Sequence, residues 1–281
     1  YEIRFCDWSS DVCSSDRDRI GIDVGRKLSV GDAIAWAAAN GVKAIDCQID
    51  IEPNPLRSFD TARCTALRQA AEKAGVSIAL HTLSAVNVAE VSPFMSEAVD
   101  RYLHAYIDAA RDLGAMWIVV HGGYHFTADY ALRREASLDR LRRVADYAEA
   151  QGVRLLLENL NKEPDDAEVH YFPCNLAECL DWFGALTSPA LGWSFTANHA
   201  HMCPEGIVGT IEGMGVTRIG EVRLADNKGD KEEHLFPGDG TIDFGAMFRA
   251  LESRGYRGHY TCAFGSLDDM LRGRDIIAAA A

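Results

Sequence analysis

Arg154-Leu155-Leu156-Leu157-Glu158-Asn159-Leu160-Asn161, the stretch RLLLENLN, decides the fold. Four residues ending in three leucines read as a buried strand, and Glu158 interrupts the run at its C-terminal end. A carboxylate is costly to bury without a partner. In a parallel α/β barrel, the C-terminal strand ends are where chemistry sits. Glu158 is therefore a candidate catalytic residue. The competing reading makes it a helix cap or an arginine partner, but Asn159 and Asn161 crowd the same end with more polar groups than a cap needs.

Working outward, strand-like runs recur at Ile20–Val24, Ala44–Gln48, Ser77–His81, Trp117–His121, Leu155–Asn159, Leu191–Thr196, Ile219–Ala225 and Tyr260–Phe264. Their pitch, roughly 24 to 40 residues, is that of a single (β/α)8 barrel. Helical patterns fill the intervals: Val30–Asn40, Ser58–Lys73, Ser96–Asp112 and Ala128–Gln151, each stopped at or near a glycine (Gly41, Gly75, Gly114, Gly152). A doubly wound sheet is the rival architecture, and eight βα units favour closure. Period-2 alternation puts Ile78, Leu80, Ile118, Val120, Leu155, Leu157, Val222 and Leu224 outward against helices. It turns Asp46, His81, His121, Glu158, Ser194, Thr196, Glu221, Arg223, Thr261 and Ala263 inward. The polar members of that set cluster in the top layer.

Residues 1–16, YEIRFCDWSSDVCSSD, resemble the in-frame translation of a sequencing adapter, which implies a gene from a metagenomic or draft assembly. They are excluded from the domain, which is expected to run over residues 17–281. About 265 residues suit one large α/β domain. No Pro/Ser-rich linker divides them. A net charge of −14 and a pI of about 5.0 argue against tight phosphate-backbone binding, so no nucleic-acid partner is expected. No apolar run reaches membrane-spanning length and no signal peptide is evident, so a cytoplasmic protein is expected, with a homo-oligomer compatible. Cys47, Cys64, Cys174, Cys179, Cys203 and Cys262 form no CxxC pair or zinc-finger spacing and read as reduced thiols.

The motifs then become specific. His121-Gly122-Gly123 after the fourth strand, Glu158 in LLENL, His199 in ANHAH, and Asp226-Asn227 followed by His234–Phe244 (HLFPGDGTIDF) resemble the xylose isomerase-like barrel superfamily, from about Ile20 to about Leu271. The resemblance implies a sugar or sugar-phosphate isomerase or epimerase, or an apurinic-site endonuclease. It implies a divalent metal (Mn, Mg or Zn) held by Glu, Asp, His and Glu from strands five to eight, with the glutamates moving protons. Glu158 matches the first glutamate. The other three positions hold Thr196, Arg223 and Ala263, so the usual site is mostly lost, and a cation there would meet the Arg223 charge. In the endonuclease branch, the first-metal ligands fall on His81, His121 and Glu158. The third-metal ligands fall on His199, Glu232 and His234, with Glu for the usual Asp.

The expected chemistry is proton abstraction next to a carbonyl of a small polyhydroxy-carbonyl substrate. Glu158 serves as base, His199 or His121 as acid, and Arg223 as a donor to developing negative charge. Arg223 paired structurally with Glu221 or Asp226 is the alternative. His81, His121, Asp226, Lys228 and His234 are expected to contact substrate. Any metal is assigned to His81, His121 and Glu158; the alternative leaves both histidines bonded to substrate or to each other. A non-catalytic ligand-binding barrel and an apurinic-site phosphodiesterase are the other functional readings.

Overall fold

The computed structural model describes residues 17–280, so the adapter-like segment lies outside the described residues. Eight parallel strands close a barrel: β1 (Ile20–Gly25), β2 (Ala44–Cys47), β3 (Ser77–His81), β4 (Ile118–Val120), β6 (Leu155–Glu158), β8 (Leu191–Thr196), β9 (Ile219–Leu224) and β10 (His259–Cys262), with β10 pairing back to β1. This is the expected (β/α)8 barrel. Two short strands not anticipated from the sequence, β5 (Tyr124–Phe126) and β7 (Val169–Tyr171), form an antiparallel ribbon outside the barrel. At three residues each, they are too short to show a period.

Helices α1 (Val30–Ala39), α2 (Thr61–Ala74), α3 (Pro93–Leu113), α4 (Tyr130–Gln151), α5 (Leu176–Ala185), α6 (Ala197–His201), α7 (Gly206–Met214), α8 (Phe244–Glu252) and α9 (Leu267–Ala280) run between and after the strands. Their ends obey local chemistry. Ser29, Asp60, Asn175 and Asp243 accept backbone N–H bonds at N-termini, and Gly75, Gly114 and Gly152 close C-termini in the left-handed conformation. The third helix starts at Pro93 rather than Ser96, since proline suits the first helical turn.

The apolar interior separates into two clusters as the alternation predicts. Ile78, Leu80, Ile118, Val120, Leu155, Leu157, Val222 and Leu224 join the large core between barrel and helices. Ala79, Trp117, Val119 and Leu156 form a small plug inside the barrel. Above that plug the inward side chains turn polar. Among the described residues, no helix is long and apolar enough to cross a membrane, and the six described cysteines are free thiols.

Candidate active site

Three adjacent strands bring His81, His121 and Glu158 together. His81 ends β3, His121 follows β4 and Glu158 ends β6. The register places His81 beside Val119, and Val119 beside Leu156, so His121 and Glu158 each stand two residues beyond the partners of His81 on the same inward faces. His121 lies in the HGG turn, where backbone elements approach closely. A Cβ on Gly122 would sit 2.4 Å from Phe172 O. Gly123 has φ +93°, and a Cβ there would sit 2.5 Å from Ala89 N. Those two glycines let the ribbon strand and the loop after β3 close over His121.

Glu158 Oε2 lies 3.4 Å from His81 Nε2 and 3.1 Å from His121 Nε2, and the two Nε2 atoms are 3.0 Å apart. All three residues are buried. The opposite ring atoms are committed elsewhere. The Thr82 hydroxyl donates to Val119 O at 3.0 Å, so it accepts from His121 Nδ1–H at 3.2 Å. His81 Nδ1 is 3.3 Å from Asp46 Oδ2. Both imidazoles are thus held with Nδ1 donating and Nε2 turned toward the carboxylate. The remaining oxygen, Glu158 Oε1, accepts the Thr196 hydroxyl at 2.6 Å.

Burial would raise the Glu158 pKa, but the two histidines overcome it and hold the carboxylate well below its usual range. Burial also disfavours the charged form of His81, yet the bonds to Asp46 and Glu158 prevail and raise it to about 10. His121 goes the other way, because burial outweighs its bond to Glu158. The metal-free centre is therefore a carboxylate, an imidazolium and a neutral imidazole sharing one point.

A second group lies beside the first. His199 Nδ1 donates to Asn159 O at 2.7 Å and His234 Nδ1 donates to Ala263 O at 2.6 Å. Their Nε2 atoms converge on Glu232 Oε1, at 3.0 and 2.7 Å. Glu232 Oε2 is buried without a partner. Burial raises the Glu232 pKa, but both histidines pull it down to about 2. His199 Nδ1 is 3.8 Å from Glu158 Oε1, which links the two groups.

Each group offers three ligand atoms within metal-binding reach of one another. The donor set fits a divalent ion. Both histidines of each group present Nε2 to a shared carboxylate, and each Nδ1 is anchored by a carbonyl, a hydroxyl or a carboxylate.

The other expected site residues stand differently. Arg223, expected to donate to a substrate beside Glu158, has its two Nη atoms engaged elsewhere: Nη1 with Asp46 Oδ2 and, at 3.5 Å, Glu221 Oε1, and Nη2 with Asp23 Oδ2 at 2.5 Å. The sequence alternative of a Glu221 pair is thus present, and that of an Asp226 pair is not. Asp226, expected to contact substrate, is fully buried, and its carboxylate accepts four backbone N–H bonds, from Asn227, Gly238, Gly240 and Ile242. It folds the loop that carries Glu232 and His234. Lys228 is exposed on that loop.

Sequence reasoning gave no role to Asp23, Asp46 or Thr82. Asp46 was visible as an inward residue by alternation. Asp23, two residues before the β1–β2 register shift at Gly25, shares that pattern.

The comparisons with known proteins agree with the fold. The sequence model described as xylose isomerase-like TIM barrel matches residues 34–278. The chain belongs to this family. A solved structure titled a D-tagatose 3-epimerase-like protein superposes with a TM-score of 0.82 at 20% identity, covering 93% of this chain and 96% of that one. An AP endonuclease, family 2, from Brucella melitensis superposes at 0.73 with 18% identity, covering 93% and 98%. By sequence, the chain is 25% identical over 238 residues to a probable endonuclease 4 of Mycobacterium leprae, covering 83% of this chain and 89% of the relative. It is 26% identical over 209 residues to an uncharacterised protein of Methanocaldococcus jannaschii, covering 72% and 69%. This barrel thus shares its fold with an epimerase-like protein and with an AP endonuclease, family 2.

Proposed function

We propose that the protein is an isomerase or related lyase that moves a proton next to the carbonyl of a sugar or sugar phosphate, with a divalent ion held by His81, His121 and Glu158. The observation that carries this is the convergence of two Nε2 atoms and one ionised carboxylate on a single point at three adjacent strand ends. A bound ion would supply Lewis-acid polarisation of the hydroxy-carbonyl unit.

The chain's own residues account for the rest. Glu158 is ionised at neutral pH and accepts the substrate proton. The Thr196 hydroxyl fixes Oε1 and so orients the carboxylate. Burial disfavours a charge on His199, but Glu232 overcomes it and raises the His199 pKa, which suits the role of acid partner. Thr196 and Ala263 replace the carboxylates that the family resemblance calls for, which leaves Glu158 as the single base of that set. One base suits a transfer on one face of the substrate better than an epimerisation that needs a base on each face.

The test is solvent exchange in D2O against a panel of ketopentoses, ketohexoses and their phosphates. Glu158→Gln is expected to abolish exchange of the proton α to the carbonyl while the far-ultraviolet dichroism stays native. Retained exchange would move the base elsewhere.

One observation favours a second reading. The second group, His199–Glu232–His234, has the donor set of a further ion, and an endonuclease 4 relative aligns over most of its length. Phosphodiester cleavage at abasic sites is therefore tested beside sugar turnover.

A further inference from the structure

Asp46 lies at the inward top of β2, 2% exposed, and its Oδ2 meets both His81 Nδ1 and Arg223 Nη1. Its other oxygen, Oδ1, is buried without a partner, so the carboxylate is held from one side only. Arg223 supplies that hold. The guanidinium is itself fixed by Asp23 and approached by Glu221, whose two oxygens accept the hydroxyls of Ser194 and Thr261 at 2.8 Å each. Five strands thus contribute to a chain of contacts that ends on one imidazole nitrogen. Arg223 also stands where the family resemblance calls for a metal-ligating histidine. A guanidinium cannot ligate a cation, since all its nitrogens carry donors.

We propose that Asp46 is a positioning residue that fixes the His81 ring for cation binding, and that Arg223 serves this centre by anchoring Asp46 rather than by touching substrate. The inference rests on the reading that His81, His121 and Glu158 hold a divalent ion. An imidazole that donates Nδ1–H to a carboxylate has a fixed tautomer and a more basic Nε2, and losing such a partner costs 10- to 100-fold in metal affinity by order of magnitude. His121 and the two histidines of the second group lean on neutral hydroxyl or carbonyl oxygens instead. His81 is the one imidazole of the four whose Nδ1 lies within hydrogen-bond distance of a carboxylate, at 3.3 Å, whereas the Glu158 carboxylate stands 3.8 Å from His199 Nδ1.

The experiment is calorimetric titration with Mn²⁺ alone, using the full chain. Asp46→Ala is expected to weaken binding about 10- to 100-fold, with Arg223→Met weakening it in the same direction. Removing Asp46 strips a partner from buried Arg223 and threatens the fold. Asp46→Asn keeps the side-chain volume and an oxygen for Arg223, leaves Arg223 with Asp23 and Glu221, and should stay folded while affinity falls in the same direction. The decisive comparison is a double-mutant cycle with His81→Ala. If Asp46 acts through His81, Asp46→Ala adds little to the loss already caused by His81→Ala. An equal further loss in that background would make the effect a general structural one and overturn the proposal. So would wild-type affinity in Asp46→Ala. A wild-type protein that binds no Mn²⁺ would overturn the metal reading itself, and this inference with it.

Discussion

Replacing Asp226 should unfold a loop rather than merely weaken a ligand. Its Oδ1 accepts Asn227 N at 2.9 Å and Ile242 N at 3.1 Å, and its Oδ2 accepts Gly238 N at 2.8 Å and Gly240 N at 3.1 Å. Its backbone also exchanges two bonds with Leu235 at 2.9 Å each. A hydrogen bond to a charged group contributes about 1.5–3 kcal/mol, and a buried donor left without an acceptor costs a comparable amount. The four share one carboxylate and the loop can partly rehydrate, so the sum is well below additive, on the order of 4 kcal/mol for Asp226→Ala. At about 2 °C per kcal/mol for a chain of this size, the melting temperature should fall by roughly 8 °C. Asp226→Asn keeps one oxygen but turns an amide N–H2 toward two donors, so it should lose most of that amount. Scanning calorimetry measures it. Because the same loop carries Glu232 and His234, a second, weaker Mn²⁺ binding event should disappear in both variants. A melting temperature within 2 °C of wild type, with substrate affinity alone reduced, would refute the structural account and return Asp226 to a substrate-binding role.

Mn²⁺ uptake at His81, His121 and Glu158 should release a proton, because a ligating imidazole is neutral while Asp46 and Glu158, against the effect of burial, hold the His81 pKa up to about 10. Apparent affinity should therefore rise about tenfold per pH unit from neutrality and flatten above about pH 10; affinity independent of pH between 7 and 9 would count against the assignment. Gly123→Ala places a Cβ 2.5 Å from Ala89 N at φ +93°, so denaturant unfolding should show a loss of at least ~2 kcal/mol, and an unchanged midpoint would mean that the turn relaxes freely. With a net charge of −14, binding to abasic duplex should be weak and removed by salt, and nicking at physiological salt would promote the endonuclease reading over the sugar one.

The barrel was legible in the sequence because its signals are local and repeated. Apolar runs such as LLL before Glu158, their pitch, the glycine stops after helices, and the period-2 faces all follow from backbone geometry that each segment carries alone. Those faces also placed His81, His121 and Glu158 on the inner side, and the resemblance in HLFPGDGTIDF pointed to the family.

Only the tertiary structure decided what each polar side chain does. Arg223 and Asp46 are 177 residues apart, and Arg223 and Asp23 are 200 apart. Nothing local distinguishes an arginine that faces substrate from one that anchors an aspartate of a non-adjacent strand across the barrel. Asp226 shows the same limit: an acid after a strand end reads as a ligand, yet closing its loop turned four N–H groups onto it. The alternation of a strand sets which face a side chain occupies, whereas its partner is set by barrel closure, which brings β1 and β2 round to β9.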